Sequence, residues 1–420
     1  MKYSSYFHKG AKKMYIKRQA EKDFMEMSRF FKVVLVTGAR QVGKTTMLKH
    51  LSENEERTYV SLDDDQARSL ARLDPRLFFQ QYKLPIIIDE VQNAPELFPE
   101  IKRIVDECEM YGRIWLTGSQ HYNMMKNVRE SLAGRIGIIK MYSFSKQEVD
   151  GVQFSTPLDF SFQTLVSRQK ETKITDLHDI FNYIWTGGMP RATQIPDKIR
   201  KTYFDSYTNT YLLRDVVDLG GVSDSTKFIR FLRACAALTS EQVNYQTLAD
   251  TSDISQNTAK KWLSLLESMG IVYLLQPYAN NELKRLAKTP KLYFLDTGYC
   301  AALSMWPSKE TMMTGPVGGK YFENYVICEL VRDLEYSQNQ ANLTYYRDSN
   351  AKEIDIFIER GGQIHPLEIK LSANPKRAEV KKFGLIEKTK FKQGSGGIVC
   401  MVPEPYMIDE KNSMIPANLI

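Results

Sequence analysis

GARQVGKT, residues 38–45, fits G-x-x-x-x-G-K-[ST] at every fixed position. On its N-terminal side, residues 31–37 carry the apolar, β-branched run Val33-Val34-Leu35-Val36. On its C-terminal side, Met47-Leu48-Lys49-His50-Leu51 continues as a helix, so the glycines fall where a strand turns into a helix. That setting predicts a phosphate cradle. Backbone N–H groups of Gly38, Ala39, Arg40, Gln41, Val42 and Gly43 close on a β-phosphate, and the helix N-terminus adds a favourable dipole. Lys44 reaches the β/γ oxygens, Thr45 offers its hydroxyl to Mg²⁺, and Thr46 completes the loop. The expected cofactors are ATP and Mg²⁺.

The next decisive stretch is Ile86-Ile87-Ile88-Asp89-Glu90, a strand apolar enough to be buried on both faces and ending in two acids. Asp89 lies 44 residues beyond Thr45, and ligands gather at the carboxyl edge of a parallel sheet. Asp89 is therefore expected in the Mg²⁺ shell and Glu90 beside the attacking water. A third strand, Ile114-Trp115-Leu116-Thr117, runs into Gly118-Ser119-Gln120 and brings Ser119 near the γ-phosphate. Arg135, at the end of Ser131-Leu132-Ala133-Gly134-Arg135, is the first candidate for an arginine finger acting on a neighbouring subunit, and Arg129 the second. A surface ion pair is the alternative reading of either. The acidic turn Asp63-Asp64-Asp65 reads as a helix cap rather than a metal site.

A chain of 420 residues exceeds one hydrophobic core, so two to three domains are expected. With 43% hydrophobic and 25% charged residues, the composition excludes a disordered or membrane-embedded protein. No apolar run is long enough to span a bilayer, and the basic start lacks the apolar core of a secretory signal, so a cytoplasmic location is expected. Cys108, Cys235, Cys300, Cys328 and Cys400 are scattered, which predicts buried thiols rather than a disulfide or zinc framework. A net charge of +7 permits nucleic-acid binding without requiring it.

GARQVGKTT, IIIDEVQNAPELF, LTGSQ, and SLAGR followed by a strand and YSFS resemble the ATP-binding half of a widespread prokaryotic family of AAA-like ATPases. The resemblance continues through GGMP at 187–190, YLLRDV at 211–216, KTPKLYFLDTG at 288–298 and FENYVICEL at 322–330. It implies a C-terminal region of unknown function joined to the ATPase. Residues 1–30 read as a helical lead-in without chemistry of their own, 31–150 as the ATPase core and 151–225 as a helical lid. In the lid, Arg191 and Arg214 are candidates to face the nucleotide, with salt bridges inside the lid as the alternative reading.

From 226 to 300 the order helix, helix, capped helix and strand reads as a winged helix. Its exposed Gln256, Asn257, Lys260 and Lys261, with Lys284, Arg285, Lys288 and Lys291, suit contact with DNA, although such modules also dock proteins. In residues 301–420, period-two alternation along 353–359 turns Glu353, Asp355, Phe357 and Glu359 to one side and three isoleucines to the other. Asp355, then Glu368-Ile369-Lys370 after a 13-residue interval, resembles the signature of the PD-(D/E)xK nuclease fold, including archaeal-type Holliday junction resolvases. Glu323 matches the extra acid of that fold's first helix. The resemblance implies Mg²⁺ held by Asp355 and Glu368, with Lys370 beside the attacking water.

The expected architecture is thus α/β: an AAA-like P-loop NTPase parallel sheet with a helical lid, a winged helix and a C-terminal restriction-endonuclease-like domain. The expected function is an oligomeric, ATP-driven DNA-processing protein, with a hexamer as one form, branched DNA as one substrate and no membrane partner. The alternative is a nucleotide-regulated switch or scaffold with an inert C-terminal docking domain.

Overall fold

The run at 33–36 becomes β1 (Val33–Gly38), buried along its whole length. The computed structural model describes residues 15–107, 109–119, 128, 131–218, 222, 224–279, 289–337, 341–348 and 350–420. Cys108, Gln120, Arg129, Lys284, Arg285 and Lys288 lie outside the described residues. β2 (Thr58–Ser61), β3 (Ile86–Asp89), β4 (Ile114–Ser119) and β5 (Ile136–Lys140) join β1 in a parallel sheet of order β2-β3-β4-β1-β5. Alternate side chains divide between two cores: Val34, Val36, Ile87 and Trp115 on one face, Val33, Leu35, Ile86 and Leu116 on the other. Helix Ala20–Phe30 covers the first face, where Phe24 meets Trp115 edge-on and Ser28 accepts the indole N–H at 2.9 Å. Helices Asp65–Leu73 and Leu97–Glu107 cover the second. Asp64 caps the former by accepting the Ala67 N–H. Because β4 lies between β1 and β3, the loop after β1, the acids ending β3 and Ser119 ending β4 share one sheet edge.

Helices Phe162–Glu171, Leu177–Thr186 and Asp197–Tyr207 follow, the last continuing through a π-helical turn, Thr208–Leu212, into Leu213–Asp218. Next come helices Ser225–Ala237, Tyr245–Ser252 and Gln256–Ser268, capped by Asp224, Asn244 and Ser255. They pack on a small antiparallel sheet of β6 (Glu241–Gln242), β7 (Val272–Leu275) and β8 (Lys291–Phe294), in the order β6-β8-β7. Phe228 and Phe231 meet Trp262 edge-on at the centre of this unit.

The chain ends in a mixed sheet built from β9 (Asn342–Arg347), β10 (Glu353–Arg360), β11 (Gln363–Ile369), β12 (Lys392–Gln393), β13 (Gly396–Cys400), β14 (Tyr406–Met407) and β15 (Asn412–Pro416). Its order is β14-β15-β13-β11-β10-β9, with β12 beside β11. The two C-terminal sheets are stitched together. Tyr278 donates its N–H to the Tyr345 carbonyl at 2.6 Å, and Tyr345 donates to the Gln276 carbonyl at 3.1 Å, so the chain beyond β7 covers the β9 edge. Helix Gly318–Tyr336 is tied to the smaller sheet by Asn324, which accepts the Phe294 N–H at 2.9 Å and donates to the Phe294 carbonyl at 2.7 Å. Asn324 is fully buried. Asn324→Ala strands the Phe294 N–H and leaves its carbonyl only the Cys328 thiol at 3.0 Å, and should destabilise the protein by about 1–3 kcal/mol. An unchanged urea midpoint would show that this amide does not hold the helix.

One expectation fails in β10. Phe357 is fully buried with Ile354 against Tyr278 and Tyr346, whereas Ile356 and Ile358 enter the opposite core. A register shift between Ile354 and Phe357 breaks the period of two, so alternation cannot be carried through the strand. Cys235, Cys300, Cys328 and Cys400 are buried free thiols. Among the described residues no helix is long and apolar enough to cross a membrane.

Candidate functional site

The loop between β1 and helix Lys44–Leu51 turns through left-handed conformations at Gln41 (φ 64°) and Gly43 (φ 98°), which directs successive N–H groups inward. Lys44 is 4% exposed, and its ammonium donates to the carbonyls of Gly38 at 3.1 Å and Ala39 at 2.9 Å. Burial lowers its pKa, with Glu90 opposing. Thr45 and Thr117 both donate to Asp89 Oδ1 at 2.5 Å, and the Tyr59 hydroxyl donates to Oδ2 at 3.1 Å. Three neighbouring elements thereby fix one carboxylate. Glu90, at φ 56°, donates its N–H to Thr117 Oγ1 at 3.0 Å, and its carboxylate accepts from the Gln92 amide. Ser119 pairs in register with Gly38, and its buried Oγ has no hydrogen-bond partner among the described residues. Lys44, Thr45, Thr46 and Glu90 line an open cleft of about 690 Å³. A buried ammonium, a loop turned through left-handed residues at Gln41 and Gly43 and an unused hydroxyl fit a nucleoside triphosphate. Thr45 and Asp89 could hold its Mg²⁺.

Arg191, expected to face the nucleotide from the lid, and Tyr15 and Tyr203, which the sequence did not single out, complete this cleft. Tyr15 stacks on His50 with ring centroids 3.8 Å apart, and Arg191 and Tyr203 enter from the helical segment. Arg18 is buried; it donates to the Val42 carbonyl at 2.8 Å and the Tyr142 carbonyl at 2.7 Å, and pairs with Glu148 at 3.1 Å. It clamps the phosphate loop to the chain beyond β5. Arg40, in the loop itself, pairs with Asp215 at 2.6 Å. Nothing in the basic stretch around Arg18 marks it apart, because these partners are 24, 124 and 130 residues away. Arg135 stands immediately before β5, where its carbonyl accepts the Val33 N–H, and its guanidinium pairs with Asp106 at 2.5 Å. That is the sheet edge opposite the phosphate loop, so Arg135 does not reach the loop of its own chain and here forms the ion pair of the alternative reading.

The second cluster lies where β10 and β11 part. Their ladder runs from Arg360 opposite Gln363 to Ile356 opposite Leu367. Beyond it, the Asp355 side chain takes the strand's place and accepts the Ile369 N–H at 2.8 Å. Lys370 donates to Glu368 Oε2 at 2.9 Å and to Asp355 Oδ2 at 3.4 Å, and Lys382 donates to Glu368 Oε2 at 3.1 Å. Glu368 is fully buried, and its Oε1 has no partner among the described residues. Burial, then the Asp355 carboxylate, pushes the Glu368 carboxyl up to about 7. Burial alone would lower the Lys370 pKa, but the Asp355 and Glu368 charges outweigh it and hold it high. An orphaned carboxylate oxygen beside a second acid fits a hard divalent cation. Glu323 projects toward the same region from helix Gly318–Tyr336, and burial raises its pKa against the pull of Lys291. Among the described residues no group of three or more His, Cys, Asp or Glu is arranged to hold a metal ion.

Lys291 is not the surface phosphate contact expected from its basic neighbourhood. It is 5% exposed and pairs with Glu353 at 2.6 Å and Glu323 at 3.2 Å. Gln256, Asn257, Lys260 and Lys261 are exposed along helix Gln256–Ser268.

Residues 30–150 match the family model of an AAA domain. Residues 177–310 match a Domain of unknown function (DUF8612), and 318–420 a Domain of unknown function (DUF4143). Together with the parallel sheet and its phosphate loop, the first match makes residues 30–150 an ATPase domain of the AAA, P-loop type. The chain is 27% identical over 358 residues to the uncharacterized protein Rv2008c of Mycobacterium tuberculosis, covering 84% of this chain and 74% of that one. It is 20% identical over 323 residues to the uncharacterized protein MJ1637 of Methanocaldococcus jannaschii, covering 70% and 66%. Among solved structures, the Walker-type ATPase PABY2304 of Pyrococcus abyssi matches with a TM-score of 0.42 and 15% identity, over 69% of this chain and 96% of that one. The RuvB Holliday junction branch migration motor of Thermotoga maritima matches at 0.31 and 14%, over 61% and 89%.

Proposed function

We propose that this protein hydrolyses ATP as an oligomer and uses the cycle to act on DNA, with a Mg²⁺-dependent phosphodiesterase site at Asp355, Glu368 and Lys370. The observation that carries the second half is the buried, unpartnered Glu368 Oε1 beside Asp355 and Lys370 at the splayed end of a strand pair. Lys44 would neutralise phosphate charge, Thr45 and Asp89 hold the metal, Glu90 orient water and Ser119 contact the γ-phosphate. The unit of residues 225–294 is read as a winged helix that presents Gln256, Asn257, Lys260 and Lys261 to DNA, branched DNA included. Glu323 is the candidate third acid of the C-terminal site.

Incubating the full-length protein with ATP, Mg²⁺ and a panel of linear and branched DNAs tests this directly; no cleavage of any substrate removes the nuclease assignment. Position also predicts the finger. Arg135→Ala should lower ATP turnover at least tenfold. Titrating it with Lys44→Ala protein should restore activity only through mixed interfaces, and a fully active Arg135→Ala enzyme would remove the assignment.

One observation favours the alternative reading, a nucleotide-regulated scaffold. Lysines stand between the acids of the C-terminal cluster, which balances their charge without a metal. On that reading ATP turns over while DNA remains intact.

A further inference from the structure

The acids of the C-terminal cluster fall into two pairs, each bridged by a lysine. Asp355 and Glu368 share Lys370, which belongs to the same sheet. Glu323 and Glu353 share Lys291, which comes from β8 of the preceding three-stranded sheet. The side chain of Lys291 is 6% exposed, and its ammonium sits 2.6 Å from Glu353 Oε1 and 3.2 Å from Glu323 Oε1. Tyr293, two residues along β8, donates its hydroxyl to the same Glu323 oxygen at 2.6 Å. One strand of a neighbouring unit thus reaches into this site with a cation and a hydroxyl.

We propose that the Lys291 ammonium takes the place of a second divalent cation, so that the C-terminal site holds one metal ion, at Asp355 and Glu368. The inference rests on the metal-dependent reading of that site.

Buried carboxylates need an opposite charge close by, because desolvation otherwise drives them to protonate. Lys291 supplies it to Glu323 and, together with Arg347 at 3.2 Å, to Glu353, and it offers no coordination site to water or phosphate. If the ammonium is removed, Glu323 and Glu353 face each other across the space it filled, with Asp355 near enough to act on both Glu323 and Lys291. Two carboxylates facing one gap, with the charge of a third acting on it, attract a hard divalent cation. Glu368 Oε1 remains the unused ligand of the first ion. Lys291 is positioned firmly, since β8 pairs with β6 and β7 and the chain beyond β7 is laced to β9. It is a positioning residue, setting the charge at which the site operates.

The experiment counts Mn²⁺ bound to nucleotide-free, full-length protein from the EPR signal of the free ion. Asp355→Asn protein serves as the reference for ions held elsewhere. Above that reference, wild type should bind one ion, Lys291→Met two and Lys291→Arg one. Two ions on wild type or on Lys291→Arg overturn the inference, and these outcomes stand even if Lys291→Met does not fold. One ion on folded Lys291→Met also overturns it and leaves the metal-dependent reading intact. No ion on wild type overturns that reading, and the inference with it. Lys291→Met protein that folds only when Mn²⁺ is added supports the inference.

Discussion

Lys44→Ala should lower ATP turnover by about 10³-fold, equivalent to roughly 4 kcal/mol of lost charge stabilisation in the transition state. The size follows from where the ammonium sits. It is 4% exposed and held against two carbonyls of its own loop, so it meets phosphate in a site already stripped of most water. Coupled-assay kinetics measure the loss, and a fluorescent ATP analogue measures binding separately. The substitution leaves the Gly38 and Ala39 carbonyls without this donor, so thermal unfolding must be compared in parallel. Turnover within tenfold of wild type, in protein that melts normally, would mean that the phosphate loop is not the hydrolytic site.

Asp355→Ala should abolish Mg²⁺-dependent DNA cleavage, again by about 10³-fold or more, because a metal that generates the nucleophile and stabilises the leaving oxygen contributes several kcal/mol. This carboxylate has a second task, since its Oδ2 accepts the Ile369 N–H where the strand ladder ends. Alanine removes both functions, so Asp355→Asn is the informative partner: the amide oxygen still accepts that N–H while the metal ligand is weakened. Matching unfolding curves with lost cleavage in Asp355→Asn would assign the effect to the metal. Cleavage at the wild-type rate in Asp355→Asn would remove Asp355 from the reaction, and with it the nuclease reading.

The ATPase half was legible because its signals are local. A strand, a glycine-bracketed loop and a helix occur in 20 consecutive residues, 32–51, and the run Ile86-Ile87-Ile88 needs no partner to be recognised as a doubly buried strand. The pairing order that brings Asp89 and Ser119 to the same edge was not local, but a parallel sheet leaves few alternatives. Arg18 and Tyr15 escaped because a clamp is defined by its distant partners, and a basic stretch offers several equivalent residues. Lys291 was misread for the related reason that charge composition does not show which way a strand faces. Phe357 was misplaced by a β-bulge, a one-residue departure that carries no residue signature here. Asp355, Glu368 and Lys370 stood out through their resemblance to a nuclease signature, yet their lysine-bridged arrangement needed the fold.

The hydrogen bonds between residues 276–278 and Tyr345 bear on how this protein can be cut. A fragment beginning at residue 318, the boundary suggested by the family match, would carry β9 with its outer edge bare and Glu323 without Lys291. Unpaired strand edges recruit other strands. Such a fragment should therefore self-associate in the test tube, whereas one that keeps residues 225–294 should stay dispersed. The practical unit of the C-terminal half is the pair of sheets, not the segment that a family boundary would excise.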